Sequence, residues 1–257
     1  MSPVSHTERE RLQRHRAPGT GGKQVSSVRL FLVFLKWDLV RELRRREVVI
    51  NMTLFALLVL FVSQIGLGPN EAAIKSVAPV IFWITIVFTG TVGLSQSFAA
   101  EREGGRLAGL QLAPIDLGVF YLAKVAATWL YVIMMVTFLI GAYILFFNFN
   151  QYALLPSLFV VAGVFTLGYI GAGVVLSSMT TALRGGGEIV LRILLVPLMM
   201  PAIFLTLDVS ETVFGSTIAE GALGEATGLG TYVAVVGALD AIYVTTGFLI
   251  FPKILED

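Results

Sequence analysis

At 257 residues, 56% of them hydrophobic and only 14% charged, the chain is far from the balance of a water-soluble domain and belongs in a bilayer. The formal net charge of +1 conceals a sorting of signs by segment, and the absence of cysteine excludes both a disulfide framework and a Cys-based metal site.

The first 28 residues, with Arg9, Arg11, Arg14 and Arg16 followed by Pro-Gly-Thr-Gly-Gly, read as a disordered basic cytoplasmic tail. Its physics is attraction to anionic headgroups, about 1 kcal/mol per basic residue near the surface. The next apolar stretch, Leu30 to Leu35, is too short for a secretory signal. Within the tail, Gly19 to Lys23 spells GTGGK, but Ala17 stands where a phosphate loop needs its first glycine and Gln24 where it needs Ser or Thr. If ATP drives this protein, another chain hydrolyses it.

From Arg29 to Glu47 the spacing predicts an amphipathic helix, with Leu32, Leu35, Leu39 and Leu43 on one stripe. Lys36, Asp38, Arg41, Glu42, Arg44 and Arg45 cover the rest, and Glu42 precedes Arg46 by four residues, a favourable helical pair. With Trp37 near its middle, this helix is expected in the cytoplasmic headgroup layer, leading into the first span. It acts either as a signal fixing orientation or as a docking element.

Residues 29–257 then hold six apolar runs, each long enough to cross the hydrocarbon core as a helix: Val48 to Leu67, Val77 to Ala99, Phe120 to Phe147, Ala153 to Met179, Ile189 to Leu207 and Gly228 to Phe251. Barrel strands would be short and alternating, so the expected class is an all-α, polytopic membrane protein. Of the 18 Lys and Arg residues, 11 precede the first span and only Lys75 falls on the opposite side from the remainder. The loop from Asp208 to Thr227 is purely acidic. The positive-inside rule therefore predicts that both termini are cytoplasmic.

Between the second and third spans, FAAEREGGRLAGLQLAP from Phe98 to Pro114 combines charges, glycines and an apolar edge of Leu107 and Leu110, with Pro114 as a stop. Composition alone allows an ordinary polar loop here. Within the spans, Lys124 and Arg192 lie near ends from which they can snorkel, and Asp240 is the single carboxylate at depth. Asp240 is either a relay or a packed, hydrogen-bonded structural acid. The two histidines, His6 and His15, are both in the tail, so the spans hold no Ser-His or Cys-His pair and no strong haem ligand. The chain reads as a non-catalytic subunit with no cofactor and no metal of its own. Gly168 and Ala172, with Gly163, Gly171 and Gly173 nearby, predict that the fourth span packs closely on a neighbour. Pro197 and Pro201 predict a kinked or partly broken fifth span and a candidate hinge.

These residues form a recognisable ordered set: Asp38, Glu42 and Arg44; APVIFW, Ala78 to Trp83; Phe98, Glu101, Glu103, Gly105, Leu107, Leu110 and Pro114; LAK, Leu122 to Lys124; LRGGG, Leu183 to Gly187; and VPLMMP, Val196 to Pro201. In this order they resemble the CcmB family of cytochrome c maturation permeases, itself similar to six-span ABC-2 type exporters. The tail is longer than that pattern needs, and the last span, with Asp240, follows it only loosely. The resemblance implies a multi-pass subunit of the bacterial inner membrane in cytochrome c biogenesis. Its partners would be a cytoplasmic CcmA-like ABC ATPase, a haem-handling CcmC-like membrane protein and a periplasmic haem chaperone, with no nucleic acid. The segment of about 98–119 would be the ATPase-coupling loop. The implied activity is haem export or, as the missing intramembrane histidine favours, release of the haem-loaded chaperone. A generic ABC-2 permease for a lipid, glycan or drug, and a scaffold without energy coupling, are the competing readings.

Overall fold

The computed structural model describes residues 27–44, 46–68, 71–103, 116–147, 152–180, 187–214 and 229–256, and the regular structure among them is entirely helical. In chain order these are α1 Ser27–Arg44, α2 Arg46–Leu67, α3 Glu71–Glu103, α4 Leu117–Phe147, a 3-10 turn Tyr152–Leu154, α5 Leu155–Thr180, α6 Gly187–Phe214 and α7 Leu229–Glu256. The six helices α2 to α7 are each long and apolar enough to cross a membrane, as the hydrophobic runs predict. With six crossings, α2 begins and α7 ends on the same face, the one that also carries α1. At 33 and 31 residues, α3 and α4 are about 50 Å long against a hydrocarbon core of about 30 Å. The apolar part of α3 closes at Gln96, so its last turns stand outside the hydrocarbon on the α1 face.

α3 and α5 form the centre of the bundle, while α2, α6 and α7 turn long apolar faces outward, where lipid replaces water as the solvent. Phe82 and Trp83, from the APVIFW segment, are buried at this centre and meet Tyr143 and Phe165 edge-on at ring separations of 5.4 and 5.7 Å. Several buried hydroxyls are satisfied within their own helices. The hydroxyls of Thr85, Thr91, Thr166, Thr206 and Ser210 each donate to the carbonyl four residues back. Ser210 also accepts from the Trp83 indole Nε1 at 2.6 Å, which ties α6 to α3. Ser210→Ala leaves that buried N–H unpaired and is expected to lower stability by about 1–3 kcal/mol. Thermal unfolding of the purified chain in detergent measures this, and an unmoved midpoint would show that the bond contributes nothing.

The close packing expected of the fourth span is found between α5 and α7. The space a Cβ would need at Gly168 is occupied by Asp240 Oδ1, and at Gly171 it is occupied by Val244 Cγ2. Gly173 instead faces Leu94 of α3, so α5 uses its small residues on two sides.

Two expectations for the fifth span are corrected. α6 runs as continuous helix through both prolines, so it is not broken there. Pro197 and Pro201 lie on its exposed side, and the Tyr243 hydroxyl of α7 donates to the Leu198 carbonyl at 3.0 Å, next to the carbonyl that Pro201 leaves without its usual donor. Asp208, placed by sequence in an acidic loop, is buried within α6, whose last turns continue past it to Phe214.

Candidate functional site

The segment singled out between the second and third spans is shortened by helix at both ends. α3 continues to Glu103, so Phe98, Glu101 and Glu103 lie on its final turns, and α4 starts at Leu117. Gly105, Leu107, Leu110 and Pro114 fall outside the described residues, as does Leu183 to Gly186 of the LRGGG segment. The structure therefore defines the two helices that bracket residues 104–115.

α4 starts on a side-chain cap. Asp116 Oδ1 accepts from the backbone N–H of Gly118 at 2.9 Å and of Val119 at 3.4 Å, and its carbonyl accepts from Phe120 N–H at 3.2 Å. An aspartate here satisfies donors that helix geometry leaves orphaned and complements the helix dipole. The first two turns after the cap then meet three other helices. Gly118 lies against Phe248 of α7, where a Cβ would not fit. Phe120 packs on Phe34 of α1, ring centroids 5.4 Å apart, and on Phe251 of α7 at 6.1 Å. Tyr121, fully buried, meets Phe251 at 5.4 Å and donates its hydroxyl to the Gly171 carbonyl of α5 at 3.0 Å. Gly247 of α7 lacks the Cβ that would strike the Tyr121 hydroxyl.

Lys124, one turn further along α4, corrects the sequence expectation. It does not snorkel. Its side chain has no solvent exposure, and Nζ lies 3.0 Å from Asp38 Oδ2 and 3.7 Å from Glu42 Oε1, both on α1. Arg41 completes the group, 2.7 Å from Asp38 and 4.0 Å from Glu42, with its guanidinium 5.1 Å from the centroid of the Trp37 ring. Among the described residues, two acids and two cations thus form a charge-balanced quartet, buried except for Arg41, which is partly exposed. Such a group adds little net stability relative to an apolar core, but removing one member strands a buried charge. Its value is register: each ion pair forms only when α1 is seated at one position along α4.

That register is visible in the contacts. Phe34 meets Phe120 and, four residues on along both helices, Asp38 meets Lys124, so α1 runs in the same direction as α4 and in step with it. α1 packs on α4 by its acidic face. Leu32 of the predicted stripe is exposed, Leu35 and Leu39 are half-buried, and Asp38 and Glu42 point inward. Glu42 makes no helical pair with Arg46, because α1 ends at Arg44 and α2 begins at Arg46. Arg44 is exposed and stands outside the quartet.

The sequence model of the CcmB protein family matches residues 29–255, which takes in α1 after its first two residues and all six spans. The chain belongs to the CcmB family. It is 30% identical over 214 residues to heme exporter protein B of Haemophilus influenzae, covering 82% of this chain and 90% of that protein. The heme exporter protein B of Pseudomonas aeruginosa is 26% identical over 166 residues, 63% of this chain and 72% of that one. For the Escherichia coli K12 protein of the same name the match is 27% over 101 residues, 39% and 46% of the two chains.

Of the residues that carried the likeness to CcmB, the structure brings Asp38 and Glu42 together with Lys124 of the LAK segment. It places Pro197 and Pro201 on the rim and Asp240 at the α5–α7 crossing, away from this group in sequence and in partners. Tyr121, Phe120, Gly118 and Asp116 escaped the sequence reading. The signal was available in part: an Asp followed by an apolar run marks a helix start, and a lysine inside such a run needs an acid elsewhere in the chain.

Proposed function

We propose that this CcmB-family chain is the transmembrane subunit of a haem-exporter-type complex in the bacterial inner membrane, converting ATP hydrolysis on a separate chain into movement of its helices. One observation carries the reading. α4 begins at the Asp116 cap, directly after residues 104–115, and within two turns it is bound to α1 by the Lys124 ion pairs, to α5 by the Tyr121 hydroxyl and to α7 by Phe248 and Phe251. A force applied to residues 104–115 is delivered at once to four helices, because buried charge pairs and close-packed rings shift as units and do not deform gradually.

In this reading the α1 face is cytoplasmic, as charge sorting predicts, and a CcmA-like ATPase engages Glu101, Glu103 and the segment that follows. Haem is cargo, presented by a CcmC-like partner, and the stroke releases the haem-loaded periplasmic chaperone. Among the described residues, the apolar cavity between α2, α3 and α4, lined by Met52, Ala56, Thr89, Val132 and Met135, holds about 20 Å³, room for one water and not for haem. Any bending at Pro197 and Pro201 would serve the same stroke at the rim.

The test is co-purification of the chain with its candidate ATPase, scored together with cytochrome c assembly, with and without Glu101→Ala, Glu103→Ala and Leu107→Ala combined. The expected result is loss of most ATPase retention and of assembly. An intact, active complex would remove the coupling role, and haem bound stoichiometrically to this chain alone would remove the chaperone-release step.

A further inference from the structure

The outward side of α1 takes no part in the quartet or in the coupling reading, and its charges are of one sign. Both acids of the helix, Asp38 and Glu42, are turned inward, whereas Arg29, Lys36 and Arg44 are exposed and form no ion pair with a described residue. Val33 and Val40, both exposed, fall between them. The steps from Arg29 through Val33, Lys36 and Val40 to Arg44 are four, three, four and four residues, so cation and valine alternate along one stripe of the helix. This row runs with the axis of a spanning helix, because Phe34 meets Phe120 and Asp38 meets Lys124 of α4 in step. From Arg29 to Arg44 it extends about 22 Å.

The length of the row decides what can cover it. A headgroup layer is about 5–8 Å deep, so lipid phosphates at one level reach one of the three cations and leave the others without a counter-charge. Water would solvate the cations but leave Val33 and Val40 exposed, with Leu32 and Trp37 beside them. An α-helix lying along α1 meets both needs. It presents a row of the same period, so acids seven and eight residues apart stand opposite Arg29, Lys36 and Arg44, while small or apolar residues between them cover the two valines. α1 contributes only positive charge to this row, so the complementary helix is acidic. An uncharged helix would strand three cations at the interface.

We propose that the outward face of α1 is the docking site for an acidic helix of another protein subunit, which pairs with Arg29, Lys36 and Arg44 and packs between them on Val33 and Val40. The inference does not depend on ATPase coupling; it needs only α1 seated on α4. By drawing both acids of α1 inward, the quartet leaves the outer row to a partner.

Photo-cross-linking in the native membrane tests this. The full chain, carrying the photoreactive residue p-benzoylphenylalanine in place of Val33 or of Val40, is produced in its native host and irradiated, and the cross-linked peptides are identified by mass spectrometry. The expected adduct is to a helical segment of another chain with acidic residues seven or eight apart. Its yield should fall several-fold in the Arg29→Glu, Lys36→Glu, Arg44→Glu variant and return when those acids of the captured segment are changed to lysine. No adduct, or adducts only to lipid, to a second copy of this chain or to its own residues outside α1, overturn the proposal, as does a captured segment without the acidic row. An adduct whose yield the triple variant leaves unchanged also overturns it. Arg29, Lys36 and Arg44 form no ion pair with a described residue, so the triple variant is expected to keep the parent's unfolding midpoint in detergent. If it does not, the same comparison is made with Lys36→Glu alone, at the centre of the row. Because the readout is an adduct and not cytochrome c assembly, it stands whether or not Glu101 and Glu103 engage an ATPase.

Discussion

Lys124→Met is expected to destabilise the chain by about 3–5 kcal/mol, the largest single effect among the ionisable residues of the α1 face. Methionine nearly matches the lysine stem in volume and flexibility, so the cost is electrostatic: Asp38 and Glu42 stay buried against α4 and each loses the ammonium that neutralises it there. The second substitution follows from that loss. Adding Glu42→Gln to Lys124→Met leaves Asp38 paired with Arg41 at 2.7 Å and restores neutrality, and it should recover most of the loss. Thermal or denaturant unfolding of the purified chains in one detergent measures both. If Lys124→Met unfolds like the parent chain, the quartet does not seat α1. If the double variant is no better than the single, charge balance is not the cause. An intact ATPase complex that no longer supports cytochrome c assembly in the double variant would separate seating α1 from holding it in a charge-specific register.

Gly168→Ala is the second large effect. The added methyl coincides with Asp240 Oδ1, so α5 and α7 must separate or the carboxyl must leave its site. Overpacking of this kind costs about 1–3 kcal/mol, and a displaced buried carboxyl adds a cost of similar size. Removing the obstruction should reverse much of the effect, so Gly168→Ala combined with Asp240→Ala is expected to be more stable than Gly168→Ala alone, although Asp240→Ala is itself a loss in the parent chain. Failure of that rescue would show that the crossing is limited by backbone approach and not by the acid. The pair also bears on the two roles left open for Asp240. A structural acid tolerates Asp240→Asn with cytochrome c assembly intact, and a relay does not.

The six spans were legible because a bilayer imposes length and hydropathy on each helix independently, so local sequence suffices. Which side of α1 faces protein was not. The period of its leucines says which residues share a stripe, but beside a membrane both sides of a helix can face an apolar environment. The choice between them rests on Lys124, two spans away in sequence. The same lysine was misread because proximity to a span end permits snorkelling without requiring it, and a pair of acids at one-turn spacing on α1 offers a better partner than the headgroups. Asp208 was assigned to a loop because it follows an apolar run. α6 continues past it to a residue, Ser210, that the Trp83 indole of α3 holds, a contact no local pattern contains. Pro197 and Pro201 were expected to kink or partly break α6; the helix runs through both, and they lie on its outward side. The small residues of α5 were the clearest tertiary signal, although sequence could not name α7 as the neighbour.

The in-step seating of α1 on α4 also dictates an order of events at the ribosome. Asp38 and Glu42 are translated two spans before the lysine that neutralises them, and the aromatic and glycine contacts that α7 makes to the start of α4 come from the last span of all. During synthesis the acids of α1 must stay hydrated at the membrane surface until α4 has been inserted, and the joint around Tyr121 closes only when α7 arrives. A chain truncated before its final span would therefore carry all the charges of the quartet and still lack the closure of that joint.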